Sequence, residues 1–591
     1  MKFSRLCFVC LLFFVSVAVL DAAEPDKAEN EQFGKVSEEY VKGWLAAHPL
    51  NATALGFHEY DGRIKDFSRL ALDAEISRLR RFDERLKKFD PEKLRPVSAI
   101  DLRILQAAVN RDLFDMLEMK SFENNPMTYA QALDVSIYIK RNFASLEDRA
   151  RSIILIENQT PNLVIAAKTN LAATLPKPYV ELAIEIARGS ADFLKKDLVE
   201  ALKGLKEERL IGAFQLSNRR AIMALTDYAK WLETEKLPKA IGDWALGEEK
   251  FHRLLAEGEL VDMPPAKLLE LGLAELKREQ EAFAADAKII DPNKPPIEVF
   301  KEIQKEHPAP GNLVSETAKN LDNVRKFVVD RDLITIPSKV RPEVKETPPF
   351  ARATTFASMD TPGPFEKKAA EAFYYVTPTE KDWTDKQKEQ WLTAFNNYTT
   401  DIVSIHECYP GHYVQFLHLN VSDVSKIAKI FGSYAFIEGW AHYTEKMMLD
   451  EGFGQAKGDK PTDEEIKRAA KYRLAQSDEA LLRLCRLCAS IKMHTQGMNV
   501  DEATKFFMDN CYYEEKPARQ EAVRGTYDPG YLNYTLGKLE ILKLREDYKA
   551  QEGEKFSLKK FHDEMLKHGM PPIRLLREIM LKDKTKWGEV L

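Results

Sequence analysis

Within seven residues, His406-Glu407-Cys408-Tyr409-Pro410-Gly411-His412 supplies two imidazoles and a carboxylate. Glu438 follows 26 residues later, in Glu438-Gly439-Trp440-Ala441-His442-Tyr443-Thr444-Glu445. Imidazole nitrogen and carboxylate oxygen are ligands for a divalent metal of the zinc type, and a catalytic site of that kind needs three protein ligands and one open position. His406, His412 and Glu438 meet that count for one zinc ion per chain. Glu407 adjoins the first ligand and is the candidate general base for an activated water. Glu438, His442 and Glu445 share a helix face at spacings of four and three, so His442 and Glu445 are expected to orient the ligands.

The spacing of the two histidines sets a structural demand. Six residues of ideal helix rotate by about 600°, which leaves His412 about 120° from the face of His406. Pro410 lacks an N–H and its ring clashes with the carbonyl of His406, while Gly411 is conformationally free. A break between the ligands is therefore expected, swinging His412 back beside His406. By itself the pattern is weak, because paired histidines on a helix are more often packed or solvated than metallated. Its setting adds weight: four of the eleven histidines lie between 406 and 442. His418 reads as structural.

A second group of candidates lies downstream. His494 ends a helix whose apolar stripe includes Leu481, Leu484, Cys488 and Ile491, and Gly497 stops it. Arg524, Tyr527, Tyr531 and Tyr534 surround the turn Asp528-Pro529-Gly530. A tyrosine hydroxyl or an imidazole N–H can stabilise an oxyanion, which selects His494 and Tyr534, then Tyr531. Arg524 can bind a substrate carboxylate through its planar fork, or brace a loop. Tyrosines at such turns also commonly just pack.

The elements that must position these groups are helical. Apolar residues recur at helical spacing, as in Ile76, Leu79, Phe82, Leu86 and Phe89, and further helices are expected at about 176–203, 210–233, 243–257, 264–286 and 314–330. Prolines cluster from 332 to 380 around the β-favouring stretches 353–357 and 373–376, which predicts a small antiparallel ribbon. Helix then returns over 385–406 and 435–449, with an exposed charged loop at 452–463. The expected fold is mainly α, with two lobes around a cleft: 24–345 as an N-terminal helical lobe and 346–591 as the metal-binding lobe.

The chain has 591 residues, 44% hydrophobic and 30% charged, and its 87 basic against 93 acidic residues leave a net charge of −6. That balance, without a basic block, argues against nucleic acid as a partner. Lys2 and Arg5 before the apolar run Leu6–Leu20, with Ala22 and Ala23 after it, predict a signal peptide at 1–23 and a periplasmic or secreted protein without a later membrane span. An uncleaved anchor is the alternative. Cys408, Cys485, Cys488 and Cys511 would remain after cleavage, too few for a disulfide scaffold.

The blocks HECYPGHYVQ and EGWAHYTE, with PGPFE at 362–366, FYYVTP at 373–378 and DPGYLNYTLGKLEI at 528–541, resemble domain-of-unknown-function family 885, a bacterial group expected to contain zinc metallopeptidases. The resemblance runs through nearly the whole chain beyond the signal segment. It implies a helical fold with a deep cleft, distantly similar to angiotensin-converting-enzyme and thimet-oligopeptidase type peptidases. Those use an unbroken HExxH, and this chain departs from them by the inserted Pro-Gly. The combined expectation is an exported zinc peptidase acting on short peptides. A metal-dependent hydrolase of other amides or esters, and a non-catalytic helical envelope protein, are the alternatives.

Overall fold

Local sequence sets the helix ends. Ser68 caps the helix Arg69–Leu86, which buries Leu72, Leu79, Phe82 and Leu86, and Pro264 opens Pro265–Ile290 with a second proline at its first position. Thr462 and Glu465 close a reciprocal capping box at the start of Asp463–Thr495. In this computed structural model, residues 26–348, 352, 355–455 and 460–591 are described. The expected signal segment lies outside them, as do residues 353 and 354 of one expected strand and 456–459 of the charged loop.

The architecture is mainly α, with one small sheet. Expected helices appear at Lys177–Lys195, Glu208–Trp231, Glu248–Gly258, Pro265–Ile290 and Leu313–Asp330. The stretch expected as one helix over 385–406 is two, Asp385–Ala394 and Asn397–Glu407. Asn396 starts the second by accepting from the N–H groups of Tyr398 and Thr399. Among the described residues no helix is long and apolar enough to cross a membrane.

Strands β1 (Glu343–Glu346), β2 (Ala357–Asp360) and β3 (Phe373–Val376) form a sheet in the order β1-β3-β2. β2 pairs antiparallel to β3, Ala357 opposite Val376, but β1 runs parallel to it, Glu343 opposite Phe373. The ribbon expected to be antiparallel is therefore a mixed sheet. Its centre is the β-branched and aromatic Phe-Tyr-Tyr-Val segment, whose two edges take one strand each.

Buried apolar residues gather in four clusters. One holds the helices of the first 230 residues, and a smaller one lies around Tyr138, Phe143 and Leu210. Another surrounds the motif blocks, from Leu313 to Leu581. The fourth joins Phe251–Ile303 to the long helix Asp463–Thr495 and to Tyr531 and Leu536, so chain from both sides of residue 345 shares one core. At about 1.5 Å per residue the long helix is about 50 Å of nearly continuous spine.

Candidate metal centre

The helix Asn397–Glu407 stops one residue after His406, and a new helix, His412–Val421, begins at the second histidine. Between them the Tyr409–Pro410 peptide is cis. The Gly411 N–H reaches back to the carbonyl of Ile405 at 3.0 Å. A Cβ on Gly411 would lie 1.7 Å from the His406 carbonyl oxygen, so only glycine permits this approach. The carbonyl of Pro410 and that of Gly411, which also takes the first helical bond from Gln415 N–H at 3.1 Å, accept from the buried Trp440 indole N–H at 3.0 and 3.2 Å. The break brings the two imidazoles to 4.8 Å between centroids, at 88°.

Glu438 arrives on the helix Tyr434–Asp450. Its Oε2 lies 3.6 Å from His406 Nε2 and 3.4 Å from His412 Nε2, and one ligand atom from each residue falls within 4.8 Å of the others. Ligand atoms about 2.0–2.1 Å from a tetrahedral metal lie about 3.4 Å apart, so the two carboxylate-to-imidazole spacings suit a zinc-type ion. Glu438 Oε2 and His412 Nδ1 are buried with no hydrogen-bond partner among the described residues, and for the carboxylate oxygen a cation is the natural complement. Burial pushes the Glu438 carboxyl up, but His412 and His406 outweigh it and hold the group well below the usual carboxylate range. Burial pulls the His406 imidazole down, while Glu438 and Glu445 together raise it to about 9. The pocket thus selects positive charge, either a proton or a metal in its place.

Glu407 points its Oε2 to the backbone N–H of Met359 on β2, at 3.0 Å. One edge of the sheet thereby fixes the carboxylate. Burial raises the Glu407 pKa, and His412 and His406 only partly offset this, which suits a group that must both take and return a proton.

Behind the ligands, the buried Glu445 accepts from His406 Nδ1 at 2.8 Å through one oxygen and from His442 Nδ1 at 3.0 Å through the other. Fixing the proton on His406 Nδ1 leaves Nε2 free to ligate. Arg483 of the long helix approaches the same carboxylate at 3.3 Å. Burial raises the Glu445 carboxyl, but Arg483 and the histidines hold it well below its usual range. His442 is driven to about 3 by burial and Lys538, so it stays neutral.

The ligand helix Tyr434–Asp450 crosses Asn533–Glu552 at a contact of two glycines. A Cβ on Gly537 would sit 1.7 Å from the Ala435 carbonyl oxygen, and one on Gly439 would sit 2.4 Å from the Gly537 carbonyl carbon. One turn before Gly537, the half-buried Tyr534 ring lies 6.5 Å from the His406 ring at 18°. Its hydroxyl has no partner among the described residues, and burial, then Glu438, raise its pKa above the usual phenol value, so it keeps its proton at neutral pH. Arg524 stands nearby, held by Asp528 at 2.9 Å and by the Tyr434 hydroxyl at 3.2 Å.

Two expected residues are not part of this group. His494 donates from Nε2 to the Gly525 carbonyl at 2.8 Å and accepts at Nδ1 from Leu246 N–H at 3.4 Å, with its ring stacked on Phe251. Both nitrogens are committed to backbone, so His494 is a core residue and not an oxyanion donor. Tyr531 is fully buried in the core cluster of the long helix, and a Cβ on Gly525 would lie 2.4 Å from its hydroxyl, so it too packs inside. His418 donates to the Thr335 carbonyl at 2.8 Å. Sequence reasoning missed Trp440, Arg483 and the Met359 N–H. The position of Trp440, two residues after Glu438, was a usable signal; the other two come from remote segments.

The fold and this group of side chains define a helical protein with a His-His-Glu cluster able to hold a metal ion. The family described as "Bacterial protein of unknown function (DUF885)" matches residues 49–580, and the chain belongs to it. Two solved structures share the fold. One, a "putative lipoprotein of unknown function" from Shewanella oneidensis, is 25% identical at a TM-score of 0.76, over 93% of this chain and 100% of that one. The other, described as a "putative lipoprotein", comes from Colwellia psychrerythraea: 16% identity, TM-score 0.75, over 95% and 99%. A Pyrococcus furiosus carboxypeptidase aligns over 94% and 96% with 11% identity and a TM-score of 0.40, too weak a likeness to carry a functional argument. No curated protein matches the chain.

Proposed function

We propose that this protein is an exported zinc-dependent peptidase. The observation that carries the reading is the convergence of His406, His412 and Glu438, whose Oε2 lies 3.6 and 3.4 Å from the two Nε2 atoms, with the Glu407 carboxylate fixed beside them by β2. Held by those three residues, a zinc ion supplies a Lewis acid that acidifies water and polarises a carbonyl oxygen. Glu407 takes a proton from the attacking water. As the new C–O bond forms and the peptide C–N bond breaks, Glu407 delivers that proton to the leaving nitrogen, so one water is consumed per bond cut. Tyr534 donates its hydroxyl proton in a hydrogen bond to the carbonyl oxygen as charge builds there. Glu445 keeps the His406 ring in the ligating orientation. Export is supported by the charged and apolar N-terminal segment and by the lipoprotein descriptions of the two relatives.

The test is metal quantification on purified protein beside a peptide-library digest read by mass spectrometry. Near-stoichiometric zinc and peptide cleavage that a chelator removes and zinc restores are expected. Full metal loading without cleavage of any peptide rejects the reading.

A further inference from the structure

The Tyr534 ring neighbours both the His406 imidazole, 6.5 Å away, and a group of guanidinium ions. The Cζ of Arg486 lies 5.2 Å from its ring centroid, that of Arg483 5.7 Å and that of Arg524 5.9 Å. Arg483 is spent on Glu479 and Glu445. The other two are oriented but not exhausted. Arg486 gives Nε and Nη2 to Glu521, both at 2.8 Å. Arg524 gives Nε and Nη2 to Asp528 at 3.0 and 2.9 Å, and shares Nη2 with the Tyr434 hydroxyl. The Nη1 of each has no partner among the described residues, and the Arg524 side chain keeps 29% of its surface exposed. Each acidic partner locks its guanidinium in one orientation; Arg524 presents its outer edge, while Arg486 keeps only 10% of its side-chain surface exposed.

From this geometry we infer that Arg524 and Arg486 receive the free C-terminal carboxylate of a peptide, so that the enzyme removes short units from the C-terminal end of its substrate. The inference rests on the peptidase reading and narrows its substrate class. A carboxylate matches planar guanidinium donors in distance and direction. Consecutive Cα atoms are about 3.8 Å apart, and these arginines and the ligating imidazole all lie within 6.5 Å of one aromatic ring, that of Tyr534. One or two residues then fit between the anchored carboxylate and the carbonyl under attack.

The experiment uses the zinc-loaded full protein and three matched peptides: one with a free C-terminus, one C-terminally amidated, and one amidated with glutamate as its last residue. Products are followed by mass spectrometry. Stepwise shortening from the C-terminus of the free acid is expected, with both amides cut at least about 100-fold more slowly, the scale of losing a charge-assisted pair. Arg524→Gln should raise KM for the free acid about tenfold or more while kcat moves less, and Arg524→Lys should recover only part of that, because a point charge lacks the fork. Equal cleavage of acid and plain amide overturns the inference and leaves the peptidase reading standing. Preferential cleavage of the glutamate amide overturns it too, since the arginines would then read a side chain. No cleavage of any peptide overturns both.

Discussion

Residues 406–445 and residues 494–534 both carry side chains able to serve a metal site, and the structure treats them differently. In the first stretch, His406, His412, Glu438, His442 and Glu445 join one continuous network, with Glu407 at its edge. In the second, Tyr534 and Arg524 stand beside that network while His494 and Tyr531 turn into the core. The difference is one of constraint. Spacings of three and four on a helix, and a Pro-Gly break with one workable geometry, fix where side chains point. A residue chosen for its chemistry near a turn has no such constraint.

The contrast can be broken most decisively at the ligands. Glu438→Ala should lose metal and turnover together, since two imidazoles alone hold zinc poorly; metal content by mass spectrometry checks this, and full loading in the variant would remove Glu438 from the ligand set. Next comes Glu407→Gln, which keeps an acceptor for the Met359 N–H. It should cut kcat by about 10²–10⁴ with metal retained. Glu445→Gln should weaken zinc binding by about 10–100-fold in a competition titration, because His406 loses its orienting carboxylate.

The smallest effects on catalysis sharpen the contrast within the second stretch. Tyr534→Phe should lower kcat by about 10-fold or more with Tm unchanged, whereas His494→Ala should leave the kcat of the folded protein intact and reduce stability. Burial pushes the His494 pKa down to about 4, and its bond to Gly525 only partly offsets this. The unfolded chain, with a pKa near 6.5, therefore takes up the proton first as the solution is acidified. Stability from keeping this ring neutral is complete above about pH 6.5 and is lost as pH falls to about 4, a change of roughly 3 kcal/mol. Denaturant melts between pH 7 and 4 should show a flatter acid limb in His494→Ala; an identical limb would place the pH sensitivity elsewhere.

How much was legible follows the same division. The helical character and most helix positions were readable from apolar periodicity, and the break at Pro410-Gly411 from a missing N–H, a ring clash and a conformationally free glycine, all local properties. The parallel pairing of β1 was not readable, because its partner lies 30 residues away in register, Glu343 with Phe373, and parallel strands need a crossover that no turn signal marks. Arg483 and the Met359 N–H reach the site through packing between distant segments. His494 misled because its helix end reads as open, yet Trp244 and Phe251 from the other half of the chain close over it.

The two glycines where the ligand helix meets the tyrosine-bearing helix act as a spacer of zero thickness. A single methyl group at position 537 would work as a shim, prying the Tyr534 phenol away from the wall that carries Glu438. The separation between the helix that carries Glu438 and the helix that carries Tyr534 is set by two side chains that consist of one hydrogen atom each.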